Sequence, residues 1–304
     1  MKNGYILALI NPVAGSVAEN DALQETLRRE AGLRGRSLKI HETRADEDSA
    51  AVVRAACADG ASLVIAAGGD GTVGAAVNGM IGTGVPLGII PVGTGNGVAH
   101  ATGIPLRRDA AIQLILEEAQ QQRITVDALR VADRHFILNV SCGISARSIR
   151  DTRRKDKRRF GLLAYVWVIA GHVLGFRSHR YHLVLDGRTI EVEATEILVS
   201  NGTIMEALPA LIGPRETFCD GILDVYVING RSIPEYLEIG FRLLFRLRRD
   251  DRKITHHQVR DHVSIHAHRR SQPVQGDGDP LGRTPVEVKM VRGGCTLIVP
   301  GEAR

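Results

Sequence analysis

Four apolar runs in the first hundred residues, YILALI, SLKIHETR, SLVIAA and PLGIIPVG, are separated by three stretches that read as helices: AENDALQETLRREAG, DEDSAAVVRAACADG and TVGAAVNGMIG. A helix between consecutive strands is the connection a parallel pair needs, whereas an antiparallel pair can close through a two-residue turn. The alternation predicts a parallel sheet with helices on its faces. Ligands of such sheets sit beyond the carboxyl ends of the strands. Three glycine- or proline-bearing turns leave those ends here, NPVAGS, GGDGTV and VGTGNG, and they are expected to cluster.

After a further helix, DAAIQLILEEAQ, the texture changes. Short segments such as RITVDALRVA, RHFILNVSCG, TIEVEATEILVSNG, GILDVYVI, PVEVKMV and CTLIVP alternate apolar and polar residues between turn signals. Spacing of this kind predicts an antiparallel sandwich or barrel. Helical segments at 158–175 and 233–248 interrupt it. The expected division is an α/β domain over 1–125 and a β domain over 126–304, with the last residues returning to the first domain.

With 304 residues the chain can bury two cores. Aromatic residues make up only 4%, which argues against a base-stacking nucleic-acid platform, so no nucleic-acid partner is expected. A net charge of +5 suits an anionic ligand or an anionic membrane surface. Cys57, Cys142, Cys219 and Cys295 are scattered, and suggest neither a disulfide framework nor a zinc site. The longest apolar segment, LLAYVWVIAGHVLGF, falls short of the roughly 20 residues of a spanning helix. YILALI breaks at Asn11-Pro12 and reads as a strand rather than a secretory signal. These features predict a cytoplasmic protein that touches membranes without crossing them.

In GGDGTV, Gly68, Gly69 and Gly71 surround Asp70 between a strand and a helix. Backbone N–H groups in such a turn can form an anion nest, and the helix adds its positive end. It is neither a P-loop nor a dinucleotide GxGxxG turn. A carboxylate inside a phosphate cradle makes sense if it acts through magnesium or its water shell. Thr94 and Asn96 offer donors in the turn after the fourth strand, and Asn11 lies on the same rim. Each turn alone could be simple turn chemistry; together they point to a nucleotide site.

NPVAGS, GGDGTVGAAVNG and LGIIPVGTGNGVAHATGIP, followed by FILNVSCGI, CDGILDVYVI and GDGDPLGRTPVEVKMV, resemble in that order the diacylglycerol kinase catalytic-domain family. That family includes bacterial lipid kinases and sphingosine kinases. NAD kinases share the GGDG turn, but their Asn-Glu nucleoside motif is not found. The resemblance implies an N-terminal α/β nucleotide-binding domain with a C-terminal antiparallel β-sandwich and an active site between them. It implies ATP contacts from Asn11, Pro12, Gly15, Thr43, Gly68, Gly69, Asp70, Gly71, Thr72, Gly93, Thr94 and Asn96. Asp70 would help organise catalytic Mg2+. Asp277 and Asp279 match an Asp-Gly-Glu motif, and one of them would accept the substrate hydroxyl proton. Asp220, with Thr217 and the Ile222 carbonyl, matches a structural metal position, and Asp127 an acidic position near the site. Asp277 and Asp220 each precede glycine, and Asp-Gly is also an ordinary turn.

The implied activity is transfer of the γ-phosphoryl group of ATP to a lipid alcohol such as diacylglycerol, phosphatidylglycerol or a sphingoid base. Gly97 and Ala75 stand where the family carries acidic residues. A catalytically degenerate nucleotide-binding regulator, or an NAD kinase-like enzyme, are the other readings. The basic run RSIRDTRRKDKRRFG beside an apolar segment, and EYLEIGFRLLFRLRRDDRK, suit peripheral adsorption to anionic lipid or a solvated face over core helices. His256, His257, His266 and His268 read as structural, and an unpaired sandwich edge could support a homodimer.

Overall fold

The computed structural model describes residues 4–14, 16–117, 119, 121–151, 178–202, 218–230, 232, 234–236, 238–239 and 253–301. The chain divides into two compact units, residues 1–127 with 292–304, and residues 128–291.

The first unit runs β1 (Tyr5–Ile10), α1 (Val17–Leu33), β2 (Leu38–Glu42), α2 (Ser49–Ala58), β3 (Ala61–Gly68), α3 (Asp70–Met80), β4 (Pro86–Pro91), α4 (Gly97–Thr102) and α5 (Arg108–Leu116). Its strands lie in the order β2-β1-β3-β4, all parallel, as the strand–helix alternation requires. β1, β3 and β4 are buried along almost their whole length, the signature of strands covered on both faces. Ser16 caps α1 in a reciprocal box with Glu19. The acidic start of DEDSAAVVRAACADG, read in sequence as helical, precedes α2 instead. Asp48 is the cap, accepting the Ala51 amide at 3.1 Å. The short helix α4, which begins at the last glycine of the VGTGNG turn, was not anticipated.

The second unit contains β6 (Arg134–Phe136), β7 (Asn139–Gly143), α6 (Ile144–Asp151), β8 (His179–Leu185), β9 (Arg188–Ala194), β10 (Glu196–Asn201), β11 (Leu223–Ile228), β12 (Ile254–Val259), β13 (His262–Ala267), β14 (Pro273–Gly276) and β15 (Asp279–Arg283). β5 (Gln121–Val131) and β16 (Val286–Pro300) each run from one unit into the other. One antiparallel sheet has the order β12-β11-β10-β7-β14-β15. β8, β9, β13 and the first half of β16 form antiparallel pairs of a second sheet. Val140, Ile197 and Val225 from the first sheet meet Leu183, Val263 and Ile265 from the second in one apolar core. This is a β-sandwich.

Two segments that read as single strands are each broken in two. RHFILNVSCG divides at Ile137-Leu138, whose amides leave the ladder for the Asp277 carboxylate. TIEVEATEILVSNG divides at Thr195, where the chain passes from one sheet to the other. PVEVKMV and CTLIVP are one strand, β16, and α6 was not anticipated. The expected helix at 158–175 lies outside the described residues. Of the one at 233–248, residues 234–236 and 238–239 are described and helical. Among the described residues no helix is long and apolar enough to cross a membrane.

Candidate active site

Register brings the expected nucleotide turns to one edge of the parallel sheet. Ile10 pairs with Glu42 of β2 and Ala67 of β3, and Gly68 pairs with Pro91 of β4, so the four carboxyl ends are level. Beyond them the turns stay laced together. Asn11 N donates to Ala67 O at 2.9 Å, Thr43 N to Ile10 O at 2.8 Å and Val92 N to Gly68 O at 3.0 Å. Asn11 Oδ1 accepts the Val13 amide, and buried Asn20 of α1 donates to Pro12 O at 2.7 Å. Gly15 lies outside the described residues.

The glycines are there for two different reasons. A β-carbon on Gly93 would lie 3.2 Å from Gly69 N and 3.1 Å from Asn96 Oδ1, and one on Gly95 would collide with the Asp70 carboxylate. One on Gly68 would strike the Thr72 side chain, which is itself buried under that residue. Gly93 lets the loops after β3 and β4 pack backbone to backbone, and Gly95 and Gly68 leave room for the Asp70 and Thr72 side chains, roles the phosphate-cradle argument did not foresee. Gly71 differs. It is exposed at the start of α3 and nothing lies within 4 Å of where its β-carbon would be. Asn96 sits in the left-handed region at φ 50° and clasps Gly93 from both sides: its Oδ1 accepts the Gly93 amide and its Nδ2 donates to the Gly93 carbonyl. Thr94 is exposed on the same turn.

Asp70 is the first residue of α3, one past the Gly69 cap. Its Oδ1 accepts the Gly97 amide at 2.6 Å, joining the N-terminus of α3 to that of α4. Burial pushes its carboxyl above the ordinary carboxylate range, against the amides of Gly97, Asn96 and Asp70 itself and the charge of His100. A cation beside it would favour the ionised form.

In the second unit Asp277 and Gly278 form the β14–β15 turn, both with positive φ. Asp277 Oδ2 accepts Ile137 N at 2.8 Å, and Oδ1 accepts Leu138 N at 3.0 Å and Asn139 N at 2.8 Å. Asp279 is half-exposed and paired with Arg134 at 3.0 Å. Gln275 completes the turn: its Oε1 accepts Gly278 N at 2.7 Å, and its Nε2 donates to Asn139 Oδ1 and Ser141 Oγ. Sequence reasoning missed Gln275, Ser141 and Asn139. The available signal was the alternation of Asn139 and Ser141 with Val140 and Cys142, a polar face opposite the core.

Asp220 Oδ1 accepts the Ile222 amide at 2.9 Å within its own turn, and Thr217 lies outside the described residues. Among the described residues no three His, Cys, Asp or Glu side chains are grouped to hold a metal ion. Asp70 and Asp220 nonetheless offer the hard oxygen donors that magnesium takes while keeping several waters. Asp127 is buried, and its Oδ1 accepts the Gly293 amide at 2.8 Å. The histidines have structural partners: His256 bonds Asp224 at 2.6 Å, His266 bonds Ser264 at 2.9 Å and His268 bonds His182 at 3.3 Å.

A family model described as diacylglycerol kinase catalytic domain matches residues 5–131. A second, described as YegS C-terminal NAD kinase beta sandwich-like domain, matches residues 138–299. A diacylglycerol kinase of Mycobacterium tuberculosis is 28% identical over 98% of this chain and 96% of its own length. One from Bacillus subtilis is 26% identical over 99% of this chain and 98% of its own. A crystal structure of a diacylglycerol kinase from Bacillus anthracis shares the fold, with a TM-score of 0.74 at 22% identity over 98% of both chains.

Proposed function

The chain belongs to the diacylglycerol kinase catalytic-domain family, a family of lipid kinases, and on that premise we propose that it transfers the γ-phosphoryl group of ATP, with magnesium, to a hydroxyl of a lipid. The observation that carries this is the level rim of four strand ends, with Gly71 open at the start of α3. Backbone amides there and the positive end of α3 draw the phosphates of ATP. Asn11, Thr43, Thr94 and Asn96 stand on the same rim.

Asp70 supplies a carboxylate that burial leaves short of compensating charge, and Asp220 with the Ile222 carbonyl supplies a second set of hard oxygens. Magnesium bound there would neutralise charge on the phosphoryl oxygens. The proton of the lipid hydroxyl goes to the Asp277-Gly278-Asp279 turn. Asp277 is immobilised by three amides, and Asp279 is oriented by Arg134. A carboxylate fixed before substrate arrives avoids reorganisation during transfer. Diacylglycerol, phosphatidylglycerol and sphingoid bases are the acceptor classes to try, presented at an anionic membrane surface.

The test is γ-labelled ATP with magnesium over those lipids and a total lipid extract, for the wild type, Asp70→Ala, Asp277→Ala and Asp279→Ala. Labelled lipid from the wild type, lost in Asp70→Ala and in at least one variant of the turn, is the expected result. ATP binding with no labelled lipid in any extract overturns the kinase assignment and leaves a nucleotide-binding regulator.

A further inference from the structure

Glu196 opens β10 directly opposite Gly143 of β7, and Ser141 of β7 is directly opposite Gln275 of β14. Residues two apart on a strand share a face, so Glu196, Ser141 and Gln275 lie on the side of the sheet away from Val140, Cys142, Ile197 and Val274, which enter the core. All three are buried, and α6 packs over β7 and β14. A β-carbon on Gly143 would come within 2.8 Å of Glu196 Oε2, so only glycine leaves room for the carboxylate.

The hydrogen bonds among these groups have one direction. Gly278 N–H donates to Gln275 Oε1 at 2.7 Å, and Gln275 Nε2 donates to Ser141 Oγ at 2.7 Å. Ser141 and Ser145 hydroxyls are 2.6 Å apart, and Ser145 Oγ donates to Glu196 Oε1. Ser145 gives its one proton to Glu196, so the Ser141 proton points toward Ser145 Oγ and the Glu196 carboxylate rather than back toward Gln275. Every dipole in the series points at Glu196.

We propose that Glu196 is a positioning residue for the Asp277-Gly278-Asp279 turn, acting through Ser145, Ser141 and Gln275. The proposal rests on the assignment of that turn as the proton-accepting part of the site. Its logic is donor–acceptor matching. A proton added to Glu196 Oε2 would face the Ser145 amide, which donates to it at 3.1 Å and cannot reverse. A proton on Oε1 would face the Ser145 hydroxyl, which can. Reversal then turns Ser141 to donate toward Gln275 Nε2, itself a donor. Turning the Gln275 amide over removes that contact only by setting Nε2 against Gly278 N–H and Oε1 against Asn139 Oδ1, so the turn loses a matched partner either way. Neutral Glu196 therefore loosens the turn, and ionised Glu196 sets it.

Burial pushes the Glu196 carboxyl up to about 7, against bonds from the Ser145 hydroxyl and amide, Ser141 and the Ile144 amide. The titratable groups that feel its charge are Tyr236 and, from the core side of the sheet, Cys142 of β7 and Tyr181 of β8; Arg147 of α6 acts on the latter two. Burial drives the Cys142 thiol up to about 12 and both tyrosines higher still. His179, which bonds Arg147 at 3.1 Å, is pushed below its ordinary value by burial and by that charge. Glu196, at about 7, thus changes charge near neutrality, whereas the Cys142 thiol and both tyrosines stay protonated there.

The experiment follows the Gly278 amide by 1H–15N NMR of the full chain from pH 5.5 to 8.5, and kcat and KM for ATP over the same range. It compares the wild type with Glu196→Gln and with Ser145→Ala, the latter cutting the relay while leaving the charge. The expected result is a Gly278 resonance that titrates in the wild type and in neither variant. kcat should fall about tenfold in both, as for a slightly misplaced catalytic group, with KM for ATP unchanged. A Gly278 resonance that is flat in the wild type, or titrates alike in all three proteins, overturns the proposal. So does a kcat profile that neither substitution alters, and in that case the kinase assignment stands. A titrating Gly278 with no lipid labelled at any pH upholds the coupling and removes the catalytic assignment of the turn.

Discussion

Asp186 and Asp277 grip their neighbouring loops in the same way. Each begins an Asp-Gly hairpin turn with positive φ at both residues, and each carboxylate takes three consecutive backbone amides. For Asp277 these are Ile137, Leu138 and Asn139; for Asp186 they are Arg260, Asp261 and His262. The backbone returns the bond in both cases, Asp277 N to Asn139 O and Asp186 N to His262 O, each at 3.0 Å. Asp186 belongs to no candidate site, so it isolates the structural share of what Asp277 does.

Asp186→Ala is expected to lower stability at pH 7 by about 1–2 kcal/mol, as charge-assisted bonds to the loop are lost, with kcat unchanged. Burial raises the Asp186 carboxyl, but the three amides and the His262 charge outweigh it and hold it below the ordinary value. Its contribution is therefore present above the unfolded value and lost as pH falls through the lower folded one. The difference between wild type and variant should shrink in acid. Asp277→Ala should show a similar stability loss with, in addition, loss of lipid phosphorylation. Denaturant titrations at pH 7 and pH 3, beside an assay at pH 7, separate the two residues.

Gly93→Ala and Gly71→Ala should differ in kind. A methyl on Gly93 meets the backbone of Gly69, which has no side chain to move aside, so a loss of about 1–3 kcal/mol is expected. A methyl on Gly71 meets no protein atom within 4 Å. The Gly71 variant should melt with the wild type yet lose most of the thermal shift that ATP produces. A Gly71 variant with an undiminished ATP shift would remove that residue from the nucleotide site.

The pH dependence of the Glu196 contribution runs opposite to that of Asp186. Burial holds the folded pKa of Glu196 at about 7, above the ordinary 4.5, so its contribution is complete below the unfolded value and lost as pH rises through the folded one. Across that window the loss amounts to about 3 kcal/mol for one proton. Urea denaturation at pH 5 and pH 8 should show the wild type losing stability relative to Glu196→Gln. Parallel pH dependences would place the carboxyl near its ordinary value.

Peripheral adsorption through the RRKDKRR run predicts binding to anionic vesicles that weakens as salt is raised. Co-sedimentation at low and high ionic strength reads this directly. Binding that salt leaves unchanged would point to apolar insertion instead.

The α/β half was legible because each of its signals agreed with the others. Apolar runs, helix-length spacers and glycine turns at the strand ends all specify one parallel sheet. What the sequence did not reveal was the partner of each glycine. Gly93 faces Gly69 only once register has levelled β3 with β4. In the sandwich, the breaks at Ile137-Leu138 and Thr195 were hidden because apolar alternation continues through them. It takes the distant Asp277 to draw amides 137 and 138 out of the ladder. Glu196 was invisible for the same reason: a lone acidic residue in TEILVSN reads as solvated until Gly143 and α6 close over it.

The division of the chain has a consequence for its synthesis. The sheet of the first unit gains its partner for β4 from the far end of the sequence, where Thr296 and Leu297 of β16 align with Pro86 and Leu87. Everything between residues 128 and 291 must leave the ribosome first. Through that interval the β4 edge displays unpaired backbone groups and an apolar strand, the kind of edge that recruits other chains. A nascent chain stopped short of Cys295 would carry every glycine of the nucleotide rim and still be the form most exposed to aggregation.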